Sequence, residues 1–508
     1  MPVITLFFIL LAVTGTYSSN PGFKTRITSR AIDYANGVAV DVLTKKLMEM
    51  PIPDIHGKES GVEYSVIGVK IKSFNKPSSK INIVPKTGLG WQLSNAGISL
   101  HGDFKYKYKK GWIKISDHGS IDAGAEGVGF SIAITIGQDT TGRPLIGSNH
   151  CSVAIGSMNL KFHGGASWIY NLFKDTFIKA LKKLVVGKLC EVVSNAINND
   201  AEKSLKKLKV TALLDKDFLL DYRLTAPPNF TSTYLETMHK GEIFWNQQIK
   251  EAPFSAAPLP PVPRSEKMIH LWVSDFLFNT AMFVAQKYNF LKFNLTANDL
   301  PASQRSVLDT SCVIMCVGAM IPKIRQKYPH TSVDLEMASS KKPHIDVQNG
   351  QLLIRFFGDI KMNALMKNQN PAYLLTLSSA MNMTVNMSIE NEQIFGHLQD
   401  LKIDIGVKDS AIGNVNKQAL QFLLDSAISI FVKPHINSLL KKGFPLPMTD
   451  DIKFRNTELL LLSDALVVST DVVYNATATP TNGTDGIKIF PNIFQEIRRG
   501  PSYKIQTL

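Results

Sequence analysis

The sequence lacks any apolar run long enough to cross a lipid bilayer as a helix. The run at residues 3–13 is too short, since a spanning helix needs about 20 residues. Small residues follow it at Thr14, Gly15, Thr16, Ser18 and Ser19, as is typical of a cleaved signal peptide. We therefore predict a signal peptide over residues 1–19 and a mature chain that is soluble, secreted and extracellular.

The sequence also lacks the motifs of common hydrolases and nucleotide-binding enzymes. It has no Gly-x-Ser-x-Gly elbow, no His-Glu-x-x-His pair and no P-loop, and its 11 histidines are scattered. The glycines at 124, 127 and 129 fit a curved strand, because no helix with Gly-Lys-Ser/Thr follows them. We expect no catalytic residue, no cofactor and no metal. The secretory route also argues against nucleic acid as a partner.

Cysteine is scarce, with only four residues in 508: Cys151, Cys190, Cys312 and Cys316. A secreted chain favours disulfides, and four cysteines allow three pairings. Cys312 and Cys316 lie four apart in a helix-like stretch, which is not a favoured disulfide geometry. They are either free or paired with distortion. A zinc site would need two further ligands nearby, and none is evident.

Acidic residues are fewer than basic ones, so the net charge is +14. Residues 21–250 hold 31 Lys and Arg against 20 Asp and Glu, whereas residues 251–508 hold 25 against 22. The first half should therefore attract polyanions such as anionic lipids or glycans. All six N-glycosylation sequons lie after residue 228, which leaves the cationic half free of predicted N-linked glycan. The sequons are at Asn229, Asn294, Asn382, Asn386, Asn475 and Asn482.

The stretch 104–114, Phe-Lys-Tyr-Lys-Tyr-Lys-Lys-Gly-Trp-Ile-Lys, predicts a cationic hairpin. In a strand, Phe104, Tyr106 and Tyr108 share one face, and the intervening lysines share the other. Lys110-Gly111 supplies the turn, and Trp112 begins the return strand. One interpretation is an edge strand protected from aggregation by its charges. The other is an anion-binding tip, with Tyr106, Tyr108 and Trp112 suited to a membrane interface.

Hydrophobic periodicity divides the chain into two similar halves. In the first, it predicts a helix over 27–50, strands over 61–160 and a helix over 167–198. In the second, it predicts a helix over 267–288, strands at 330–336, 343–357 and 372–406, and a helix over 415–440. This repeated order indicates a duplication and an α+β fold. A curved sheet wrapped around an apolar helix would enclose a groove suited to an acyl chain.

These boundaries predict five segments along the chain. They are the signal peptide at 1–19, a cationic N-terminal lipid-binding domain at 20–225, a proline-rich linker at 226–264, a C-terminal lipid-binding domain at 265–476 and a mobile tail at 477–508.

Several short segments resemble the family of bactericidal/permeability-increasing protein, lipopolysaccharide-binding protein and the plasma lipid transfer proteins. The similarity covers about residues 20–476. Its motifs are Asn20-Pro21-Gly22, Ile32-Asp33-Tyr34-Ala35, Val84-Pro85, Gly88-Leu89, Ser94-Asn95-Ala96, Ala226-Pro227-Pro228, Lys240-Gly241-Glu242, Ser274-Asp275-Phe276, Asn279-Thr280-Ala281, Lys442-Gly443-Phe444-Pro445-Leu446-Pro447 and Asp471-Val472-Val473-Tyr474. Cys151 and Cys190 sit where the family has its single disulfide, so the resemblance implies that they pair.

The resemblance implies an elongated boomerang of two pseudo-symmetric barrel-like domains joined by a central sheet, each with an apolar pocket for phospholipid. It implies a monomer that binds lipopolysaccharide through lipid A, acts at the Gram-negative outer membrane and kills the bacterium. The implied lipopolysaccharide-binding residues are Lys105, Lys107, Lys109, Lys110, Lys114 and Trp112. The alternative is a phospholipid transfer or carrier protein without bactericidal activity. The sequence departs from the family in its lysine-poor segments 56–64 and 157–168 and in its Cys312 and Cys316.

Overall fold

The structure is a computed structural model that describes residues 20–474, apart from 60, 76, 165–166, 215, 263–264, 391 and 447–451. The predicted signal peptide and the predicted C-terminal tail lie outside the described residues.

The first half consists of a strand, a helix, a seven-stranded antiparallel sheet and a second helix. The sheet has the order β2-β3-β5-β6-β7, while β4 pairs with β5 and β8 pairs with β6. The elements are β1 (Phe23–Thr28), α1 (Ser29–Met48), β2 (Ile55–Glu59), β3 (Val62–Asn75), β4 (Ser78–Val84), β5 (Gly88–Lys110), β6 (Ile113–Gln138), β7 (Pro144–Ala154), β8 (Ser157–His163), α2 (Ser167–Asn195), a π-helix (Ala196–Ala201) and α3 (Glu202–Lys206).

Apolar side chains of α1 and α2 fill the concave side of this sheet. In α2 and the π-helix that follows it, the buried residues recur every four positions from Phe177 through Leu181 and Val185 to Ile197. A stripe with this spacing drifts around the helix axis, because a turn holds 3.6 residues, and so it follows the curvature of the enclosing sheet. The sequence prediction of two helices and an intervening strand region holds for this half. On α1, Val42 is exposed although apolar residues of the same helix are buried.

The segment between the halves contains short strands and is not uniformly extended. The predicted proline-rich linker over 226–264 contains three strands. The strands of this region are β9 (Thr211–Leu213), β10 (Phe218–Asp221), β11 (Asn229–Phe230), β12 (Tyr234–His239) and β13 (Glu242–Trp245). They form because β9, β10 and β13 make a small sheet of their own, while β11 and β12 extend a larger one.

The second half repeats the order of the first. Its main sheet runs β15-β16-β18-β19-β20-β21, with β17 paired to β18. The elements are β14 (Ile269–Ser274), α4 (Asp275–Lys287), β15 (Lys292–Leu295), two 3-10 helices (Ala297–Asp299 and Ala302–Leu308), α5 (Val317–Met320), α6 (Pro322–Lys327), β16 (Val333–Ser339), β17 (His344–Gln348), β18 (Gln351–Ala364), β19 (Ala372–Glu390), β20 (Gln393–Ser410), α7 (Lys417–Ala427), a π-helix (Ile428–Val432), α8 (Lys433–Lys441), β21 (Phe444–Pro445), β22 (Ile452–Leu462) and β23 (Ala465–Tyr474).

One predicted helix begins later than expected. We predicted a helix over 267–288, but β14 occupies the first part of that range and α4 begins at Asp275. The Ser274 side chain caps α4 by accepting a hydrogen bond from the Phe276 amide at 3.2 Å. The apolar spacing of Ile269 and Trp272 fits a helix locally, but pairing with two distant strands makes this stretch a strand.

The two halves meet in a six-stranded sheet with the order β11-β12-β1-β14-β23-β22. Its two central strands, β1 and β14, are antiparallel, with Thr25 opposite Leu271. Each of them leads directly into the first helix of its half. A twofold rotation that exchanges the two halves would therefore place β1 on β14, β12 on β23 and β11 on β22. This sheet joins the halves around a pseudo-twofold axis, as expected for a duplicated chain.

The cationic hairpin as candidate functional site

The β5–β6 hairpin ends in a two-residue turn formed by Gly111 and Trp112. Lys110 pairs with Ile113 across the turn, and Gly111 has a φ of 61°. A glycine with positive φ at the first central position is typical of a type II′ turn, whose twist matches that of the strands. Trp112 thus lies in the turn itself, whereas we predicted that it would begin the return strand. Its side chain is 91% exposed.

Four of the five lysines of this hairpin lie on the outer face of the sheet, away from the core. Lys105, Lys107 and Lys109 alternate with buried residues along β5, and Lys114 lies opposite Lys109 on β6. Lys110 is exposed beside the turn. None of these five ammonium groups forms an ion pair with a described carboxylate. They form a concentrated positive charge at the end of the first half, which we call the lysine face.

The inner face of the same strand holds an aromatic cluster. Phe104 lies edge-to-face with Phe162 of β8 and Tyr170 of α2, at centroid distances of 5.2 and 5.4 Å. Tyr106 is only 2% exposed and packs 6.1 Å from Tyr170. Tyr108 is buried as well, so our expectation that both tyrosines lie at an interface is wrong. They fill the core under the lysines because the strand alternation turns them inward.

One carboxylate lies within the lysine face. Glu63 on β3 is paired in register with Lys107, and its Oε1 lies 2.8 Å from Nζ of Lys58 on β2. The hydrogen bond from Lys58 lowers the pKa of the Glu63 carboxyl, and the charges of Lys107 and Lys109 lower it further. The same contact raises the pKa of Lys58. Sequence reasoning noted that segment 56–64 is poor in lysine but did not place this pair beside Lys107.

Sequence reasoning missed a group of histidines farther along the outer face. Nδ1 of His101 lies 2.7 Å from one oxygen of Asp122, and Nε2 of His163 lies 2.8 Å from the other. These hydrogen bonds, first from His101 and then from His163, lower the pKa of the Asp122 carboxyl. Only the pairing of β5 and β8 with β6 brings the three residues together, so spacing along the chain gave no signal.

Two disulfides are present among the described residues. Cys151 on β7 and Cys190 on α2 are bonded, with an S–S distance of 2.02 Å and a Cα–Cα distance of 5.9 Å. This bond ties α2 to the N-terminal sheet. Cys312 and Cys316, for which the sequence left both states open, are bonded to each other.

Four of the six sequon asparagines fall within the described residues, and all four are exposed. Asn229 lies on β11, Asn294 on β15, and Asn382 and Asn386 on β19. Asn475 and Asn482 lie outside the described residues. Glycosylation at all six sites stays a prediction.

The described part of the chain holds no group of His, Cys, Asp or Glu side chains that could bind a metal ion. Within that same part, every helix is either too short or too polar to span a membrane. The N-terminal core does contain a narrow apolar cavity between α1, α2 and the sheet. Its lining includes Leu47, Ile71, Ile98, Leu100 and Leu189.

Comparison with known proteins gives matches along most of the chain. The family description "LBP / BPI / CETP family, N-terminal domain" matches residues 31–205, and the C-terminal domain of the same family matches residues 212–474. Bactericidal permeability-increasing protein of Sebastes schlegelii is 29% identical over 464 residues, which cover 90% of this chain and 96% of the relative. Lipopolysaccharide-binding protein of Bos taurus is 28% identical, and the alignment covers 93% of this chain and 98% of the relative.

A solved structure is similar over nearly the same length. The crystal structure of lipopolysaccharide binding protein aligns with a TM-score of 0.61 and 26% sequence identity, and covers 90% of this chain and 99% of that one. This match confirms the predicted α+β fold class of two barrel-like halves joined by a central sheet. The family consists of lipid-binding proteins without enzymatic activity, so this chain is not an enzyme. The chain belongs to the LBP/BPI/CETP family, as its sequence motifs predicted.

Proposed function

We propose that this chain is a secreted innate-immunity protein that binds the lipopolysaccharide of Gram-negative bacteria through the phosphates of lipid A. The observation that carries the proposal is the lysine face: five exposed ammonium groups at the end of one hairpin. The relatives named for lipopolysaccharide binding add support, since they align with more than nine-tenths of the chain. Two phosphates on one glycolipid would match a compact group of cations better than a single surface charge would.

The lysine face supplies enough electrostatic energy for recruitment. Near an anionic surface each lysine contributes on the order of 1 kcal/mol, so five give about 5 kcal/mol if they add. Transfer of the exposed Trp112 ring into the lipid interface adds about 2 kcal/mol. The sum of about 7 kcal/mol corresponds to a dissociation constant near 10 μM. Because the charges are exposed, salt should weaken this binding.

The same charges give a mechanism for damage to the outer membrane. Divalent cations bridge the phosphates of neighbouring lipopolysaccharide molecules. Ammonium groups that bind those phosphates displace the bridging ions, which loosens the packing of the outer leaflet. We therefore propose a bactericidal, membrane-permeabilising activity, acting as a monomer and without a cofactor.

The proposal is tested by the variant Lys105→Ala/Lys107→Ala/Lys109→Ala/Lys110→Ala, titrated with lipopolysaccharide. We expect affinity to fall at least tenfold, because about 4 kcal/mol of electrostatic attraction is removed and part of it is screened. A matched control removes four exposed lysines of α2: Lys174, Lys179, Lys182 and Lys183. It causes the same change in net charge within the same half. If both variants lose affinity equally, or neither does, the lysine face is not the binding site.

A second candidate function is phospholipid carriage, which the apolar interior of the N-terminal half favours. Leu47 and Ile52 from the α1 side and Leu184 and Leu189 of α2 line the narrow cavity, whose volume is only about 10 Å³. An acyl chain entering there must push α1 and α2 apart, so binding should depend on how firmly these helices pack. Transfer of fluorescent phospholipid between vesicles, measured beside a bacterial permeability assay, separates the two functions. A pure carrier would transfer lipid and leave bacteria intact.

A further inference from the structure

A short loop in the second half exposes three consecutive large apolar side chains. The loop runs from Cys312 to Cys316, and we call it the disulfide loop because those two residues are bonded to each other. Val313 is 73% exposed, Ile314 78% and Met315 44%. Single exposed apolar residues are common on protein surfaces, but three in succession on one closed loop are not.

Both ends of the disulfide loop are held by the protein, so only its tip reaches solvent. On one side, the Thr310 amide donates to the Thr331 carbonyl at 2.9 Å. On the other, the buried Cys316 starts α5, and its sulfur accepts a hydrogen bond from the Ala319 amide at 3.3 Å. Leu308 and Val317, which flank the loop, are buried in the C-terminal core. The three apolar side chains are therefore presented in a fixed position.

Basic residues precede, by a few positions, a segment that contacts the disulfide loop. The His330 amide donates a 2.6 Å hydrogen bond to Oγ of Ser311, the residue just before the loop. The chain reaches His330 directly from α6, whose Lys323, Arg325 and Lys327 are all exposed. Residues 301–332 hold four Lys and Arg side chains and one carboxylate, Asp309. The Ser311 amide donates a hydrogen bond to that carboxylate at 2.6 Å, so Asp309 is bonded to the backbone beside the loop.

The geometry points to the disulfide loop as a membrane anchor that inserts Val313, Ile314 and Met315 into a phospholipid surface, while the α6 cations contact the headgroup phosphates. Exposed apolar side chains in the same segment as exposed Lys and Arg residues match the apolar and anionic layers of a bilayer surface. A protein partner fits less well. A specific interface buries roughly 800 Å² on each side, more than three projecting side chains supply.

This anchor is separate from the lysine face, because it belongs to the second half of the chain. The proposal therefore does not depend on lipopolysaccharide binding. It assigns each half its own contact: the lysine face binds a phosphorylated glycolipid, and the disulfide loop binds a phospholipid surface. The two contacts would involve different lipids and different halves of the chain.

The test measures co-sedimentation of the full chain with vesicles of pure phosphatidylcholine, which contain no lipopolysaccharide and carry no net charge. We expect Ile314→Asp to reduce partitioning about tenfold, because it removes an inserted apolar side chain and adds a charge. The matched control is Ile249→Asp, since Ile249 is also exposed, at 64%, but lies outside the loop. It should partition like the parent chain. Both positions are on the surface, so neither change should prevent folding.

Two further variants extend the test. Replacing Lys323, Arg325 and Lys327 with Ala should lower binding to vesicles that contain phosphatidylglycerol at least fivefold more than binding to pure phosphatidylcholine. The four-lysine variant of the lysine face should bind phosphatidylcholine vesicles like the parent. If the parent does not bind these vesicles, or if Ile314→Asp and Ile249→Asp behave alike, the disulfide loop is not a membrane anchor. Neither result would bear on the lysine face.

Discussion

Arg26 and Glu236 face each other in the sheet that joins the two halves, with Nη2 of Arg26 2.7 Å from Oε1 of Glu236. They are register partners on β1 and β12, and the Glu236 side chain is only 9% exposed. Nζ of Lys24 lies 3.5 Å from the same oxygen and 3.9 Å from the ring centroid of Trp272 on β14. One carboxylate therefore balances two cations at the junction of the halves.

We predict that Glu236→Gln destabilises the protein by about 3 kcal/mol, because it leaves two largely buried cations without a counter-charge. Burial already lowers the pKa of Lys24, which shows that this ammonium group is poorly solvated. Urea denaturation followed by tryptophan fluorescence measures the effect. The exposed Glu266 serves as a control, since Glu266→Gln should change stability by less than about 0.5 kcal/mol. Equal effects of the two substitutions would contradict the prediction.

The second prediction concerns Asp275, the first residue of α4. Burial, and then the nearby charge of Asp464, raise the pKa of the Asp275 carboxyl from its ordinary value of 3.8 to about 6. Between about pH 4 and pH 6 the folded chain therefore binds more protons than the unfolded chain does. The contribution of this group to stability falls as the pH rises through that window, and the loss is complete above it.

Asp275→Asn removes this loss and should stabilise the protein above pH 6. We expect about 1 kcal/mol at pH 7.5, because Asp275 is partly exposed, solvent screens its charge and the start of a helix favours an anion. At pH 4 the benefit should be almost absent. Thermal denaturation at both pH values measures the difference, with Asp33→Asn on the exposed surface of α1 as control. A benefit of equal size at both pH values would show that ionisation is not its cause.

Much of this fold could be predicted from the sequence, because the periodic segments are long. The alternation from Phe104 to Lys109 predicted which side chains share a face of β5, and the hydrophobic periodicity over 167–198 predicted a long helix. The repeated order of elements predicted two similar halves. Hydrophobic periodicity depends only on nearby residues. A long helix or strand repeats the pattern often enough to distinguish it from a random sequence.

The features that sequence reasoning missed depend on contacts between distant segments. Ile269 to Ser274 became a strand because β1 and β23 lie on either side of it, and no nearby residue signals those partners. His101, Asp122 and His163 meet only through strand register. Tyr106 has an apolar ring and a polar hydroxyl, so its residue type is compatible with both the protein core and a membrane interface. Only the packing of α2 against β5 decides between them.

The third prediction concerns the Cys151–Cys190 disulfide, which closes a loop of 39 residues between β7 and α2. Replacing both cysteines with Ala should lower stability by about 3–4 kcal/mol, because the unfolded chain regains the entropy of that loop. Since α2 covers the N-terminal core, hydrogen exchange should rise most in α2 and β7. If hydrogen exchange increased only in the second half of the chain, this prediction would be contradicted.

The fourth prediction is that Glu63→Gln strengthens lipopolysaccharide binding. Glu63 holds Lys58 and lies in register with Lys107, so its carboxylate opposes the positive charge of the lysine face. Removing it adds one net positive charge and releases the Lys58 ammonium for a phosphate. We expect affinity to rise about two- to fivefold, since solvent and salt screen a single exposed charge near an anionic surface.

Titration with lipopolysaccharide at low and high salt measures this gain, which should shrink as salt screens the exposed charges. Glu390→Gln is the matched control, because Glu390 is exposed on β19 in the other half and changes the net charge by the same amount. If Glu63→Gln binds more weakly than the parent, the carboxylate must position Lys58 and Lys107 for the ligand. The Glu63–Lys58 pair would then be part of the binding surface and would not oppose it.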